Sequence, residues 1–264
     1  MTELIDIGVN LTHKSFNPDR DQVIEAALAA GLAAMVITGT SEHGSREAQK
    51  LAATRPGVLH ATAGVHPHHA QDFTNKTLDS LRQLAALPEV VALGECGLDF
   101  NRNFSPRDDQ ERCFEAQLEL AAELGKPLFL HQRDAHPKFI ELLSRHRADL
   151  SKVVVHCFTG TGEEMDACLD LGCFIGITGW ICDERRGLHL RELVQRIPAD
   201  KLMLETDGPF LLPRTIRPKP KKSRNEPKYL THVLQTVAEC LDQTEDQVAA
   251  TTTRNARNFF ALPH

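Results

Sequence analysis

The sequence lacks any run of about 18 consecutive apolar residues, the length that a membrane-spanning helix requires. Residues 1–6 lead directly into a predicted strand, without the basic segment and apolar segment of a secretory leader. We therefore expect a cytoplasmic protein.

Paired cysteines are also missing. The seven cysteines are odd in number and scattered, and none forms a C-x-x-C pair, so neither a disulfide framework nor a cysteine zinc site is expected. Cys96 and Cys157 each follow a candidate metal ligand, Glu95 and His156. Because buried cysteine usually behaves as a small apolar residue, we do not expect either thiol to be a nucleophile.

The 264 residues, 41% of them apolar, are enough to bury one sizeable core. Predicted strands alternate with predicted helices eight times. The strands are expected at 4–8, 34–38, 59–65, 90–95, 128–131, 153–156, 174–177 and 201–206. The helices are expected at 19–30, 41–54, 76–86, 106–125, 136–147, from 161, 187–196, from 226 and 244–260. Ser105 is the predicted N-cap of the fourth, and the pattern Thr244-Glu-Asp-Gln247 predicts a capping box at the start of the last. This alternation predicts one domain over 1–264, a (β/α)8 TIM barrel with one extra C-terminal helix.

Five of the predicted strands deliver a side chain that can bind metal at or just beyond their carboxyl ends: His66, Glu95, His131, His156 and Asp207. A single such histidine is more often a hydrogen-bonded core residue, but several in phase are hard to explain that way. The carboxyl ends of barrel strands form the catalytic face, so these side chains predict one site. The site is expected to hold a divalent metal.

The predicted ligands Glu95, His131, His156 and Asp207 mix imidazole with carboxylate, which suits Zn²⁺ or Mn²⁺, while carboxylates with water suit Mg²⁺. A divalent ion can lower the pKa of a bound water to about 7. Asp207 is our candidate for both ligand and general base, because a turn just beyond the last strand holds it. Glu205 lies two residues earlier and is the alternative carboxylate at this position. Of the two, we favour Asp207 for the site and Glu205 for a structural role.

Other polar and aromatic residues near these strand ends are candidates for substrate binding. Arg133 can clamp a phosphate oxygen, or instead form an ion pair with Asp134 or another acid. His66 and His68 flank a proline, so one can face the metal while the other donates to substrate. The late-loop aromatics, Trp180 and Phe210, are expected to pack rather than to stack on a base.

A basic loop stands out from an otherwise acidic chain. Residues 214–228 contain seven basic side chains and one acid, Glu226, a local net charge of +6 within a total of −6, which leaves −12 for the remainder. A solvated surface loop is the alternative interpretation. Because this loop follows the eighth predicted strand, and so lies on the catalytic face, we favour a role in holding phosphates.

Seven motifs occur in order along nearly the whole chain: Asp6-Ile-Gly-Val-Asn-Leu, Gly64-Val-His-Pro-His, Gly94-Glu-Cys-Gly-Leu-Asp-Phe, His131-Gln-Arg-Asp, Val155-His-Cys-Phe-Thr-Gly, Glu205-Thr-Asp-Gly-Pro-Phe and Arg224-Asn-Glu-Pro. Each alone is weak, but the set is specific, and together they resemble the TatD family of metal-dependent deoxyribonucleases. The resemblance implies a monomeric, cytoplasmic TIM-barrel hydrolase, a magnesium-dependent 3′-to-5′ exonuclease on single-stranded DNA or RNA.

By position, the resemblance also implies site residues. Glu95, His131 and His156 would bind metal, with Glu95 also counted as catalytic, and Asp207 would be the active-site carboxylate. His66 and His68 would line the pocket. In the nuclease hypothesis that we favour from the residues themselves, Arg133 and the loop from Arg214 to Arg224 hold the nucleic-acid backbone.

The chain departs from the family pattern at its first strand. Many relatives carry Asp-x-His-x-His there, whereas this chain has Gly8 and Asn10 at the two histidine positions. The loss of two ligands favours one tightly held ion, with a second arriving with substrate. Asn10 can still offer a neutral oxygen.

Two other functions remain open at the level of sequence. An amidohydrolase-type deacylase would use the same metal ligands on a C–N or ester bond, although the basic loop counts against it. A nucleic-acid-binding protein with a decayed metal site would explain the missing histidine pair. Four ligand types that remain in phase count against this alternative.

Overall fold

Strands and helices alternate along residues 3–263, the part of the chain that this computed structural model describes. Residues 1, 2 and 264 of the predicted domain lie outside the described residues. The strands are β1 (Leu4–Val9), β2 (Leu32–Ile37), β3 (Leu59–Ala63), β4 (Val90–Asp99), β5 (Leu128–Arg133), β6 (Val153–Val155), β7 (Phe174–Ile177) and β8 (Leu202–Leu204). The helices are α1 (Arg20–Ala29), α2 (Glu42–Ala53), α3 (Asn75–Ala85), α4 (Arg107–Leu124), α5 (His136–His146), α6 (Gly162–Asp170), α7 (Leu188–Leu193), α8 (Leu230–Leu241) and α9 (Glu245–Phe260).

The eight strands belong to one sheet whose neighbours follow chain order from β1 to β8. The pairs β1–β2, β3–β4, β4–β5, β5–β6 and β7–β8 are all parallel. This order is the one that a (β/α)8 barrel requires. Helix α9 is the extra C-terminal helix that the sequence predicts.

The described chain divides into two compact units. The terminal unit comprises residues 3–37, 157–161 and 175–263, and the central unit comprises residues 38–156 and 162–174. The terminal unit carries the first two and the last two strands, while the central unit carries β3 to β6.

The strands form where short apolar runs can be buried on both faces, as in a parallel sheet covered by helices. All six residues of β1 are buried, and so are all three residues of β6. Several of the helices bury one apolar face. In α3, for example, Leu81 and Leu84 are buried while its polar face meets solvent.

Strand β4 is longer than the sequence predicts. It continues past Glu95 to Asp99 because residues 96–99 pair in parallel with residues 130–133 of β5. Gly94, at φ 125°, precedes a cis peptide bond to Glu95, and a Cβ at Gly94 would lie 2.1 Å from the carbonyl oxygen of Phe129. Only glycine fits such a close backbone approach.

Capping explains several helix starts and corrects one prediction. The predicted capping box at the start of α9 is present, with Thr244 and Gln247 bonded reciprocally. The prediction that Ser105 caps α4 is wrong, because the N-cap is Pro106. The Ser105 hydroxyl instead donates to the His68 carbonyl and accepts from the Gln71 backbone, which ties the 3-10 helix Pro67–Asp72 to the start of α4.

Two predicted helices include 3-10 turns. The helix expected at 187–196 is α7 followed by the 3-10 helix Val194–Arg196. The helix expected from residue 226 begins with the 3-10 helix Pro227–Tyr229 before α8. No helix among the described residues is both long enough and apolar enough to cross a membrane.

Candidate metal centre

Three imidazoles of the central unit converge on one carboxylate oxygen. Glu95 is 6% exposed, and its Oε1 lies 2.8 Å from His156 Nε2, 3.0 Å from His131 Nδ1 and 3.3 Å from His66 Nε2. The histidines come from the ends of different strands, and the backbone of Glu95 is anchored by its N–H, which donates to the Gly39 carbonyl at 2.7 Å. The structure therefore brings together three of the side chains predicted to bind metal or substrate around a fourth.

The surrounding charges decide the protonation of this cluster. Burial alone would raise the pKa of Glu95, but the nearby imidazoles of His156, His66 and His131 hold it well below its usual value. Burial lowers the pKa of His66 to about 4, against the opposing effect of Glu95. At neutral pH, Glu95 is therefore ionised and His66 is neutral, the forms that bind a metal ion.

The donor geometry fits a divalent ion. The ligand atoms of His66, Glu95 and His131 lie within 4.8 Å of one another. His131 Nε2 is buried and makes no hydrogen bond within residues 3–263. A buried imidazole nitrogen that makes no hydrogen bond, on a residue grouped with an ionised carboxylate and a second imidazole, fits a metal-binding role.

His156 is predicted to bind metal and His66 to line the pocket, but the structure groups the donors differently. His156 contacts Glu95 and its ring lies 4.5 Å from that of Phe129, but it is outside the group of three mutually close donors. His66, predicted to line the substrate pocket, is a member of that group. The assignment of His156 as a ligand stays a prediction.

Asp99 is a part of the site that the sequence analysis missed. Its Oδ2 lies 2.8 Å from His68 Nε2 and 3.7 Å from His131 Nε2, the second being too long for a hydrogen bond. Its Oδ1 accepts from the backbone N–H groups of Asn101 and Arg102. The strand predicted at 90–95 ends before Asp99, and the sequence analysis gives Asp99 no role, although its position in the Gly-Leu-Asp motif is a signal.

Asp207 lies in the terminal unit, just beyond β8. Its φ is 53°, its backbone N–H donates to the Gly8 carbonyl at 2.8 Å, and its Oδ1 accepts from Asn10 Nδ2 at 3.0 Å. Thr206, the residue before it, donates its N–H and its hydroxyl to the buried carboxyl of Asp6. These bonds join β1 to the end of β8 and fix Asp207.

Glu205 and Cys96 are the residues that could have taken a direct part in the chemistry instead. Glu205 is fully buried and its Oε1 accepts the backbone N–H of Cys157, so it supports a backbone turn at φ 46°. Burial raises the pKa of the Cys96 thiol well above its usual value, which opposes formation of a thiolate. These contacts agree with a structural role for Glu205 and an inert Cys96.

The two predicted arginines occupy different settings. Arg133 ends β5, and its carbonyl accepts from the Phe100 N–H. The Arg224 guanidinium makes a bidentate pair with Asp19, at 2.7 and 2.8 Å, and also donates to Glu226 at 2.7 Å. These contacts fasten the basic loop to the start of α1, so substrate binding by Arg224 stays a prediction.

Comparisons with known proteins agree with the motifs. The family model described as "TatD related DNase" matches residues 5–261. The chain is 54% identical over 260 residues to the 3′-5′ ssDNA/RNA exonuclease TatD of Erwinia billingiae, covering 98% of this chain and 100% of that protein. It is 54% identical over 259 residues to the protein of the same name from Citrobacter koseri, covering 98% and 99%.

Solved structures show the same fold. A TatD homologue from Escherichia coli K12 superposes with a TM-score of 0.88 at 27% identity, covering 98% of each chain. A TatD-family hydrolase from Entamoeba histolytica gives 0.87 at 26%, covering 100% of each. An N-acyl-D-glutamate deacylase from Bordetella bronchiseptica, at 0.61 and 14%, shares the fold alone, over 98% of this chain and 75% of that one. With the strand order, these matches confirm the predicted (β/α)8 barrel.

Proposed function

This chain belongs to the family of TatD-related DNases, and from that premise we propose that it is a metal-dependent 3′-to-5′ exonuclease acting on single-stranded DNA and RNA. Two curated relatives that carry this activity in their names are more than half identical to the chain over nearly its full length. The deacylase alternative has only fold likeness in its favour, from structures at 14% identity.

The observation that carries the proposal is the donor group around Glu95. An ionised carboxylate, a neutral His66 and a His131 whose Nε2 makes no hydrogen bond within residues 3–263 form a donor group that fits a divalent cation. A bound divalent ion would supply Lewis-acid stabilisation of a phosphoryl oxygen and would lower the pKa of water. His156 and Asp207 complete the ligand set that we propose.

The residues of the chain have separate proposed tasks. Asp207 takes the proton of the attacking water as the new oxygen–phosphorus bond forms, while the bond between phosphorus and the leaving sugar oxygen breaks and that oxygen takes up a proton from solvent. Asn10, which donates to Asp207 Oδ1, fixes the orientation of that carboxylate. We propose that His68, whose Nε2 is hydrogen-bonded to Asp99, donates to substrate. Arg133 is proposed to clamp a phosphate oxygen, and Arg224 to act with the basic loop that it fastens.

We further propose Mg²⁺ as the ion in use, with Zn²⁺ or Mn²⁺ able to occupy the same ligands. Gly8 and Asn10, at the two positions where many relatives have histidine, support one tightly held ion rather than a preformed pair. A single domain, a monomeric state and a cytoplasmic location, which the family resemblance implies, belong to the same proposal.

The test is the degradation of end-labelled single-stranded DNA with Mg²⁺ and with EDTA. A 5′-labelled strand should shorten stepwise, and a 3′-labelled strand should release its label at once, both only with metal. Release of the label first from the 5′-labelled strand would contradict the polarity. Turnover of an acylated substrate without shortening of DNA would support the deacylase, and retention of uncut DNA would support a decayed site.

A further inference from the structure

A cavity of about 570 Å³ lies within the terminal unit, and its lining includes part of the basic loop but none of the proposed metal ligands. Its walls are the segment that follows β7 and the segment that follows β8. The segments approach closely, since a Cβ at Gly179 would lie 2.2 Å from the carbonyl oxygen of Leu211. A cavity of this volume is in the range that small-ligand sites occupy.

The lining is strongly basic. Five basic side chains, Arg185, Arg186, Arg214, Arg217 and Lys219, face it, against one acid, Asp183. Asp183 is 5% exposed and accepts from Arg185 at 3.1 and 3.2 Å and from Arg186 at 3.2 and 3.3 Å. One buried carboxylate thus orients two guanidinium groups along one wall.

Two of the basic residues keep unused binding capacity. Arg217 Nη1 donates to the carbonyls of Arg214 and Ile216, at 2.7 and 2.8 Å, which holds the side chain in place. Within the described chain, Arg217 Nε and Nη2 make no hydrogen bond, and Lys219 has no acidic partner. A guanidinium that is held in place and an ammonium without an acidic partner, both lining this cavity, match the oxygens of a phosphate.

The same cavity has an aromatic wall. Trp180 lines it, and the Cζ of Arg186 lies 4.4 Å from the centre of the indole ring. Both indole rings and guanidinium planes are surfaces on which nucleobases stack. The cavity therefore presents a stacking wall and a phosphate-binding wall together.

We propose that this cavity is a subsite for one nucleotide of a single-stranded nucleic acid, with the base against Trp180 and a phosphate at Arg217 and Lys219. The assignment of nucleic acid as the ligand rests on the proposed nuclease function. The cavity wall begins at Leu211, four residues after Asp207, so the proposed base and the subsite share one chain segment. A simple anion would contact the basic residues of the cavity and leave the Trp180 wall unused.

Trp180 is the single tryptophan of the chain, so its fluorescence reports on this cavity alone. The wild-type protein in EDTA, which prevents cleavage, should show saturable quenching when titrated with a short single-stranded oligodeoxynucleotide. Binding should weaken as salt rises, because phosphate contacts release counterions. Adenosine monophosphate should quench more weakly, and inorganic phosphate should not quench.

Three variants sharpen the test, with binding of a labelled oligonucleotide followed by anisotropy. Trp180→Leu, which removes the ring, and Arg217→Gln should each weaken binding about tenfold, the effect of losing one stacked base or one charged contact. Arg254→Gln removes an equal charge from an exposed position on α9, outside the cavity, and should bind as wild type. Thermal unfolding of each variant controls for folding.

The outcomes separate this subsite from the nuclease function. Mg²⁺-dependent cleavage with no quenching, and with Arg217→Gln indistinguishable from Arg254→Gln, would overturn the subsite while leaving the nuclease intact. Quenching with no cleavage would support the subsite and contradict the nuclease. Equal affinity for phosphate, mononucleotide and oligonucleotide would show a simple anion site and overturn the proposal.

Discussion

Two buried carboxyl groups, Glu95 in the central unit and Asp6 in the terminal unit, have pKa values shifted in opposite directions. Around Asp6, burial dominates and raises its pKa to about 8, although the N–H groups of Gly8 and Thr206 and the Thr206 hydroxyl lower it. Around Glu95, burial acts in the same direction, but three imidazoles outweigh it. Burial raises the pKa of both carboxyl groups, so the difference between them comes from their partners, which are imidazoles around Glu95 and uncharged hydrogen-bond donors around Asp6.

This contrast distinguishes the cation site around Glu95 from the structural role of Asp6. Glu95 keeps its charge among groups that also bind metal, so a divalent ion can replace protons there. Asp6 accepts hydrogen bonds from backbone and hydroxyl groups and connects β1 with the end of β8. The following substitutions test the two environments separately.

The largest effect is expected for Glu95→Gln. Removal of the charge on which three histidines converge should abolish metal binding and reduce cleavage to background, with the fold retained because glutamine has the same shape. Calorimetry with Mg²⁺ or Mn²⁺ and the labelled-DNA assay measure the two losses. Glu119→Gln, on the exposed side of α4, is the matched control. Normal metal affinity in Glu95→Gln would contradict the assigned centre.

Asp207→Asn should slow cleavage by about 10²- to 10⁴-fold, the range for loss of a positioned general base. The variant should still fold, because asparagine can accept the hydrogen bond from Asn10. Single-turnover rates on labelled DNA measure the effect, and Asp200→Asn, at an exposed position of the same unit, is the control. A variant that retains the full rate would show that Asp207 is not the base.

Asp99→Asn should have a smaller effect on the same site. Asp99 supports His68 directly and lies near His131, and loss of such a supporting carboxylate typically costs 10- to 100-fold in metal affinity or activity (about 1 to 3 kcal/mol). Metal titration and kcat/KM measure it, with exposed Asp79→Asn on α3 as control. If metal affinity and kcat/KM were both unchanged, Asp99 would serve only to hold the following loop through its hydrogen bonds to the N–H groups of Asn101 and Arg102.

Asp6→Asn should change stability rather than chemistry. Because the folded pKa of Asp6, about 8, lies above its usual 3.8, its stabilising contribution is complete below pH 4 and is lost as pH rises toward 8. Between these limits, the wild type should lose on the order of 1 kcal/mol of unfolding free energy per pH unit relative to Asp6→Asn.

Urea unfolding of both proteins at several pH values between about 4.5 and about 7.5 measures this difference. Asp200→Asn should follow the wild-type pH dependence. Parallel curves for wild type and Asp6→Asn would show that Asp6 is ionised in the folded protein, and the contrast with Glu95 would then disappear.

Most of the fold follows from local sequence patterns. Phe174–Ile177 was predicted to the residue as a strand, and the capping box of Thr244 and Gln247 was predicted from its spacing. Such features depend on neighbours within a few positions, so they can be read from a single chain. The continuation of β4 to Asp99 could not, because it depends on pairing with β5, some thirty residues later.

Local sequence is enough to identify the strands that end in metal-binding side chains, because apolar periodicity and the residue that follows it are local properties. The contacts of those side chains depend on how the whole chain folds. In the folded protein, Glu95 contacts three imidazoles and Asp99 is hydrogen-bonded to His68. Arg224 pairs with two acids, whereas Arg217 uses only its Nη1 in hydrogen bonds within the described residues. Charge and hydrogen bonding act over a few ångströms, between residues far apart in the chain.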